Sequence, residues 1–134
     1  IAAGMCTSLR YGDNFQAVLI SNAIREMERF VVSIDPEQVR EINNSGYLGD
    51  LLVTAYSQFS RNRTFGNMIG KGYTVQSAQL EMNMIAEGYY ASASIQTIID
   101  QYKVEMPICS TVYDILYGHK PVAAAVQKLT NLLT

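Results

Sequence analysis

The chain has 134 residues, 49 % of them apolar, and a formal charge of −2 from 10 basic and 12 acidic side chains. That is one domain of ordinary size, with enough apolar material for a real core. The near balance of charge leaves no electrostatic footprint for nucleic acid or an acidic membrane. No apolar run approaches the roughly 18 residues of a membrane span, because the longest candidate, Phe15 to Ile34, is cut by Arg25, Glu26, Glu28 and Arg29.

The chain opens Ile1-Ala2-Ala3-Gly4-Met5-Cys6, with no basic segment and no cleavage pattern, so this is not a signal peptide. It reads as a cut through an apolar helix, and the chain is expected to be a piece of a larger protein. From Asn14 to Ile34, apolar residues at Phe15, Val18, Leu19, Ala23, Met27, Phe30, Val31 and Ile34 step by threes and fours, which predicts a helix capped by Asp13 or Asn14. Pro36 can start a short helix to Ile42, ended by Asn43-Asn44-Ser45-Gly46. A third helix is expected over Leu48 to Tyr56, followed by a break at Ser57-Gln58-Phe59. Ser60 then precedes a helical stretch ending at Gly70-Lys71-Gly72.

Thr74 is a candidate cap for Val75 to Met82. A long helix is expected from Glu87 to Lys103. Met106-Pro107 starts another, burying Val112, Ile115 and Leu116 and stopping at Gly118. The last should run from Pro121 to Leu133, with Val122, Val126, Leu129 and Leu132 on one face. No alternating strand pattern competes. The expected architecture is a single all-α domain of seven or eight helices over residues 1–134.

Cys6 and Cys109 lie far apart and are read as free thiols rather than a disulfide. One histidine and no Cys-x-x-Cys pair argue against a metal site. His119, beside Gly118 and Lys120, reads as a solvated loop residue, and no Ser/His/Asp or Cys/His arrangement is available.

Ser60-Arg61-Asn62-Arg63 is the first chemical candidate. The first N–H groups of a helix lack internal partners and carry the positive end of its dipole. A capping serine, an arginine fork and an amide there can hold a phosphate or carboxylate. The same four residues also describe an ordinary capped helix with solvated arginines. Asp50 and Thr54 stand four apart and share a face. They can orient a substrate hydroxyl or a catalytic lysine, or Asp50 can cap its own helix while Thr54 bonds back to a carbonyl. Gly66 to Gly72 is not a phosphate loop: three residues separate Gly66 from Gly70, Lys71 is followed by Gly72, and the context is helical. A helix ended by glycine with a basic last turn accounts for it. Glu87 before its helix reads as a complement to the dipole or as a ligand contact.

Taken in order, Gly46-Tyr47-Leu48-Gly49-Asp50-Leu51-Leu52-Val53-Thr54, Ser60-Arg61-Asn62-Arg63-Thr64-Phe65-Gly66, Gly70-Lys71-Gly72, Ala86-Glu87-Gly88, Val104-Glu105-Met106-Pro107-Ile108-Cys109, Val112-Tyr113 and Leu116-Tyr117 resemble the C-terminal domain of bacterial NAD(P)-dependent glycerol-3-phosphate dehydrogenases. The resemblance implies a helical substrate-binding domain of the 6-phosphogluconate-dehydrogenase-like type, preceded by a dinucleotide-binding domain that this chain lacks. It implies reversible hydride transfer between NAD or NADP and the pair dihydroxyacetone phosphate and sn-glycerol 3-phosphate, in the cytoplasm, for phospholipid synthesis. Asp50, Ser60, Arg61 and Asn62 would contact the substrate. Arg61, Ile85 and Glu87 would approach the cofactor. Asp50 and Thr54 would assist an acid/base lysine, which belongs to a Lys-Asn-Val segment expected upstream of Ile1. The chain by itself is therefore expected to have no turnover. The implied partners are the small-molecule substrate, the chain's own N-terminal domain and a second copy as homodimer.

The chain departs from the family pattern at several places. Thr7-Ser8-Leu9-Arg10 stands for Asp-Gly-Leu-Gly, Gln16 for a basic residue, and Ser21-Asn22-Ala23 for Thr-Arg-Gly. Tyr90 and Ala91 stand for Arg and Thr. Arg63 is read as solvated. The competing readings are another two-domain dehydrogenase of the 6-phosphogluconate or ketopantoate type, and a non-catalytic helical interaction domain.

Overall fold

The structure, a computed structural model, describes residues 1–37, 45–57 and 60–134. Among these it contains eight helices and no strand: α1 (Ala2–Ser8), α2 (Asp13–Ile34), α3 (Ser45–Tyr56), α4 (Arg61–Gly70), α5 (Val75–Glu81), α6 (Glu87–Tyr102), α7 (Pro107–Leu116) and α8 (Val122–Thr130). The expected all-α architecture is observed. The short helix expected over Pro36 to Ile42 falls mostly outside the described residues, and so do Gln58 and Phe59 of the expected break.

Several boundaries follow from local chemistry. Ser60 and Thr74 each cap a helix by accepting the N–H three residues on, from Arg63 and Ser77. At α2 neither Asp13 nor Asn14 is the cap. Gly12 takes that position in extended backbone, and Asp13 enters the first turn, where its charge complements the dipole. Ser45 and Gly46 belong to the first turn of α3, which begins three residues before the expected Leu48. First-turn N–H groups have no intrahelical partner in any case, so such residues are tolerated there. Gly72, at φ +103°, turns the chain after α4. The last helix is shorter than expected: α8 stops at Thr130, which leaves Leu132 off its apolar face and 55 % exposed.

The tightest packing joins α1 and α4. A Cβ on Gly4 would lie under 3.0 Å from the backbone of Arg63 and Asn67. A Cβ on Gly66 would meet the backbone of Ile1 as closely, and one on Gly70 would strike Ser8. The two helices thus run side by side with their backbones in contact. Gly66 and Gly70 are four apart and face α1 together, which is why they are glycines. Their role is packing along the helix, not only its termination. Around this pair lies the main core, with Met5, Cys6, Leu19, Phe65, Ile69, Val112, Ile115, Leu116, Val126 and Leu129. Phe65 is wholly buried.

The face of α2 differs from its apolar pattern. Val18 and Ile34 are exposed, whereas Gln16 and Glu26 are buried. The Gln16 amide donates to the Ala3 carbonyl and to Thr7 Oγ1, both at 3.1 Å, and so ties α2 to α1. Glu26 is 2 % exposed, and its carboxylate accepts the N–H groups of Ile108 at 2.5 Å and Cys109 at 3.2 Å. The cap residue of α7, Met106, has no side-chain acceptor, and Pro107 fills the first position. Glu26 therefore caps α7 from another helix. Burial pushes its carboxyl above the usual carboxylate range, against the opposing pull of the two N–H groups and Arg29.

Two outcomes follow. Gly66→Ala would gain about 1 kcal/mol from helix propensity alone. Its Cβ meets unyielding backbone, so a net loss of about 1 to 3 kcal/mol is expected in denaturant titration. Glu26→Ala leaves two helix-terminal donors unpaired and should cost about 2 kcal/mol or more. Because burial makes the folded carboxyl hold its proton more tightly than the unfolded one, wild type should lose stability relative to Glu26→Gln as pH rises through and beyond the ordinary glutamate range, about 4.3. Thermal unfolding of both proteins across that range measures the difference, and a flat difference would remove the buried-charge account.

Candidate functional site

The N-termini of α4 and α6 converge on one cleft of about 230 Å³, lined by Ser60, Arg61, Asn62, Ile85 and Glu87. Chain reversal through α5 and the Met82 to Ala86 segment brings these two groups of residues together. Ser60 Oγ accepts from the Arg63 N–H at 3.3 Å, which fixes the first turn of α4. Arg61 is the first residue of α4 and is exposed, and Glu87, the first residue of α6, is exposed as well. Ile85 is 63 % exposed. Two positive helix ends, an arginine and an amide make this an anion-attracting corner, and Glu87 puts one carboxylate on its rim.

Asn62 joins the two halves. Its Oδ1 accepts the Gly88 N–H at 2.9 Å. The cap position of α6 is Ala86, which has no side-chain acceptor, so Asn62 supplies one from α4. Because Gly88 offers a donor, the oxygen of the amide must face it, and the NH₂ remains to donate elsewhere.

The other sequence candidates separate. Asp50 is exposed in the interior of α3 and does not cap it, since the helix begins at Ser45. It is not among the lining residues of the small cleft. Thr54 lies on the same helix, and its side chain falls outside the described residues. Leu51 and Ala55 of α3 do reach the site's edge: with Asn62, Gly88 and Ala91 they line an adjoining apolar cleft of about 260 Å³. Arg63 is not solvated. It is half-buried, its guanidinium donates to Thr7 Oγ1 at 3.4 Å, and its Nε is buried without a partner among the described residues. The reason is position: Arg63 sits on the face of α4 that meets α1.

Four departures from the family pattern acquire a physical meaning. Thr7 and Gln16 are hydrogen-bonded to each other, so these two changes form a neutral pair beside Arg63. Arg10, where the pattern has glycine, adopts φ 66°, the left-handed conformation that glycine takes without strain. Tyr90 is exposed and stacks edge-on against Tyr89 at 5.1 Å between centroids.

Nucleophilic sulfur chemistry is not supported. Cys6 and Cys109 are free thiols. Burial pushes Cys6 up to about 11, and burial together with the Glu26 carboxylate pushes Cys109 up to about 12, so both stay protonated at neutral pH. His119 is exposed in the turn after α7. Sequence reasoning missed Glu26 and the structural half of Asn62's role. The signal for Glu26 was a lone acid on the otherwise apolar side of α2, and for Asn62 a helix start at Glu87 without a capping side chain.

The family model for the NAD-dependent glycerol-3-phosphate dehydrogenase C-terminus matches residues 1–127. A glycerol-3-phosphate dehydrogenase [NAD(P)+] of Chlorobium phaeobacteroides is 40 % identical over 129 residues, which is 96 % of this chain and 38 % of that protein. The enzyme of the same name from Fusobacterium nucleatum is also 40 % identical, with the same coverage. The crystal structure of glycerol-3-phosphate dehydrogenase from Coxiella burnetii superposes with a TM-score of 0.90 at 32 % identity, covering 96 % of this chain and 39 % of that one. This chain thus spans less than two fifths of the length of the relatives it matches. No helix among the described residues is long and apolar enough to cross a membrane. The chain belongs to the family of NAD-dependent glycerol-3-phosphate dehydrogenase C-terminal domains.

Proposed function

We propose that the chain is the substrate-binding domain of a dehydrogenase that interconverts dihydroxyacetone phosphate and sn-glycerol 3-phosphate, in the cytoplasm and for phospholipid synthesis. The observation that carries this reading is the cleft at the paired N-termini of α4 and α6, where Ser60, Arg61 and Asn62 meet Ile85 and Glu87, in a chain of this family.

The residues divide the work by chemistry. The start of α4 and the Arg61 fork suit the phosphate, which needs several donors held in place. The Asn62 NH₂ adds a neutral donor. Asp50 and Thr54, on one face of α3, would orient the reacting hydroxyl end and the acid/base lysine of another segment. Ile85 offers an apolar surface and Glu87 an acceptor, which fits the edge of a nicotinamide carrying a carboxamide. NAD or NADP, when bound, supplies the hydride. The choice between them is assigned to the dinucleotide-binding domain, since the cleft residues here meet only one end of such a molecule. Ground-state grip on the phosphate lowers KM, whereas the proton donor near the carbonyl sets kcat.

Two measurements test this. Arg61→Ala in the full-length dehydrogenase should raise KM for dihydroxyacetone phosphate roughly 30-fold, about 2 kcal/mol, with a smaller change in kcat. In this chain alone, phosphate should shift the amide signals of Ser60 to Arg63, and Arg61→Ala should abolish the shift. Unchanged KM and unchanged shifts would refute the assignment. Purified chain alone is expected to reduce no dihydroxyacetone phosphate, and measurable turnover would show that the lysine and cofactor domain are not needed.

A further inference from the structure

Gly88 is the second residue of α6, and its N–H is held by Asn62 Oδ1 at 2.9 Å. A Cβ built on Gly88 would come within 2.7 Å of that same oxygen and 3.0 Å of Ile1 Cδ1. No backbone atom stands as near. The crowding is thus against two side-chain ends that can move, unlike the backbone collisions at Gly4 and Gly66. Elsewhere in a helix an alanine would be favoured over glycine. Here its first effect would be to turn the Asn62 amide away.

We propose that Gly88 is a positioning residue for substrate binding, acting through Asn62. The missing side chain lets the Gly88 N–H approach Asn62 Oδ1, which fixes the amide with its NH₂ toward the cleft. One hydrogen bond thereby orients a substrate donor on α4, caps α6 and sets the spacing between the Arg61 and Glu87 sides of the site. The cleft residues Ile85 and Glu87 lie within three residues before Gly88, so a shift of the start of α6 changes both halves together. This proposal rests on the glycerol-phosphate reading of the cleft.

The test is a double-mutant cycle in the full-length dehydrogenase, with Gly88→Ala, Asn62→Ala and the pair, read as KM and kcat for dihydroxyacetone phosphate and as melting temperature. Gly88→Ala is expected to fold with a melting temperature unchanged or lowered by a few degrees, because helix propensity offsets much of the lost cap on α6, and to raise KM roughly 10-fold, with kcat changed less. On the Asn62→Ala background the same substitution should change KM by less than about 2-fold, because the group it acts through is gone. An unchanged KM for Gly88→Ala overturns the proposal. So does an equal effect on both backgrounds, which would mean that Gly88 acts independently of Asn62. A Gly88→Ala protein that fails to fold also overturns it, since the amide would not be what yields. An Asn62→Ala variant with unchanged KM defeats instead the reading of the cleft itself, whatever Gly88 does.

Discussion

Where Gly4, Gly66 and Gly70 let α1 and α4 touch backbone to backbone, the direction of α4 is set, and with it the position of Ser60, Arg61 and Asn62. Side chains can repack by fractions of an ångström, but two backbones in contact cannot slide without breaking many interactions at once. The short α1 has four consecutive buried residues, Ala3 to Cys6, and Phe65 and Ile69 of α4 lie in the same core. The anion-attracting end of α4 is thus the exposed tip of the most constrained element in the fold. The proposed grip on a small phosphate gains from such a foundation, because small misplacements of donors cost binding.

The same economy of backbone groups links the site to the fold. Two helices, α6 and α7, begin at residues that cannot cap them, Ala86 and Met106. Their first N–H groups are satisfied from a distance, by Asn62 and by Glu26. An unsatisfied buried N–H costs about 1 to 3 kcal/mol, so these long-range caps fix where α6 and α7 start relative to α4 and α2. The two acceptors differ in kind. Glu26 is sealed inside and serves the fold alone. Asn62 lines both the small cleft and the adjoining apolar one, and it serves the fold with its oxygen.

Most helices were legible because apolar spacing and capping residues are local signals. Ser60, Thr74 and Pro107 mark the starts of α4, α5 and α7 where the sequence suggests. The polar interior was not legible. Periodicity counts apolar residues, so Gln16 and Glu26 read as interruptions, although their partners on α1 and α7 make burial tolerable. Gly66 and Gly70 read as a helix ending because their partner helix is unknown until the fold is seen. The cleft was legible only through the resemblance. No local rule brings Ile85 and Glu87 to Arg61, whereas the order of motifs did, and the geometry then unites them. Asp50 stands exposed on α3, outside the small cleft, whose lining comes from α4 and the start of α6 with the segment before it.

Exposure limits how strongly this site attracts an anion. Arg61, Ile85 and Glu87 are all open to water. Two unit charges at 4 Å attract by only about 1 kcal/mol in bulk water, but by about 4 kcal/mol at the effective dielectric of a protein surface. The same donors therefore grip a phosphate far more firmly once a second surface covers them. Covering would also bury the exposed apolar side chains of Met84, Ile85 and Tyr90. Arg63, whose buried Nε has no acceptor among the described residues, donates to the neutral Thr7 Oγ1 and places its positive charge behind the cleft. In the proposed function these features agree: the donors are fixed by the fold, and their strength is conferred when the cofactor's domain closes over them.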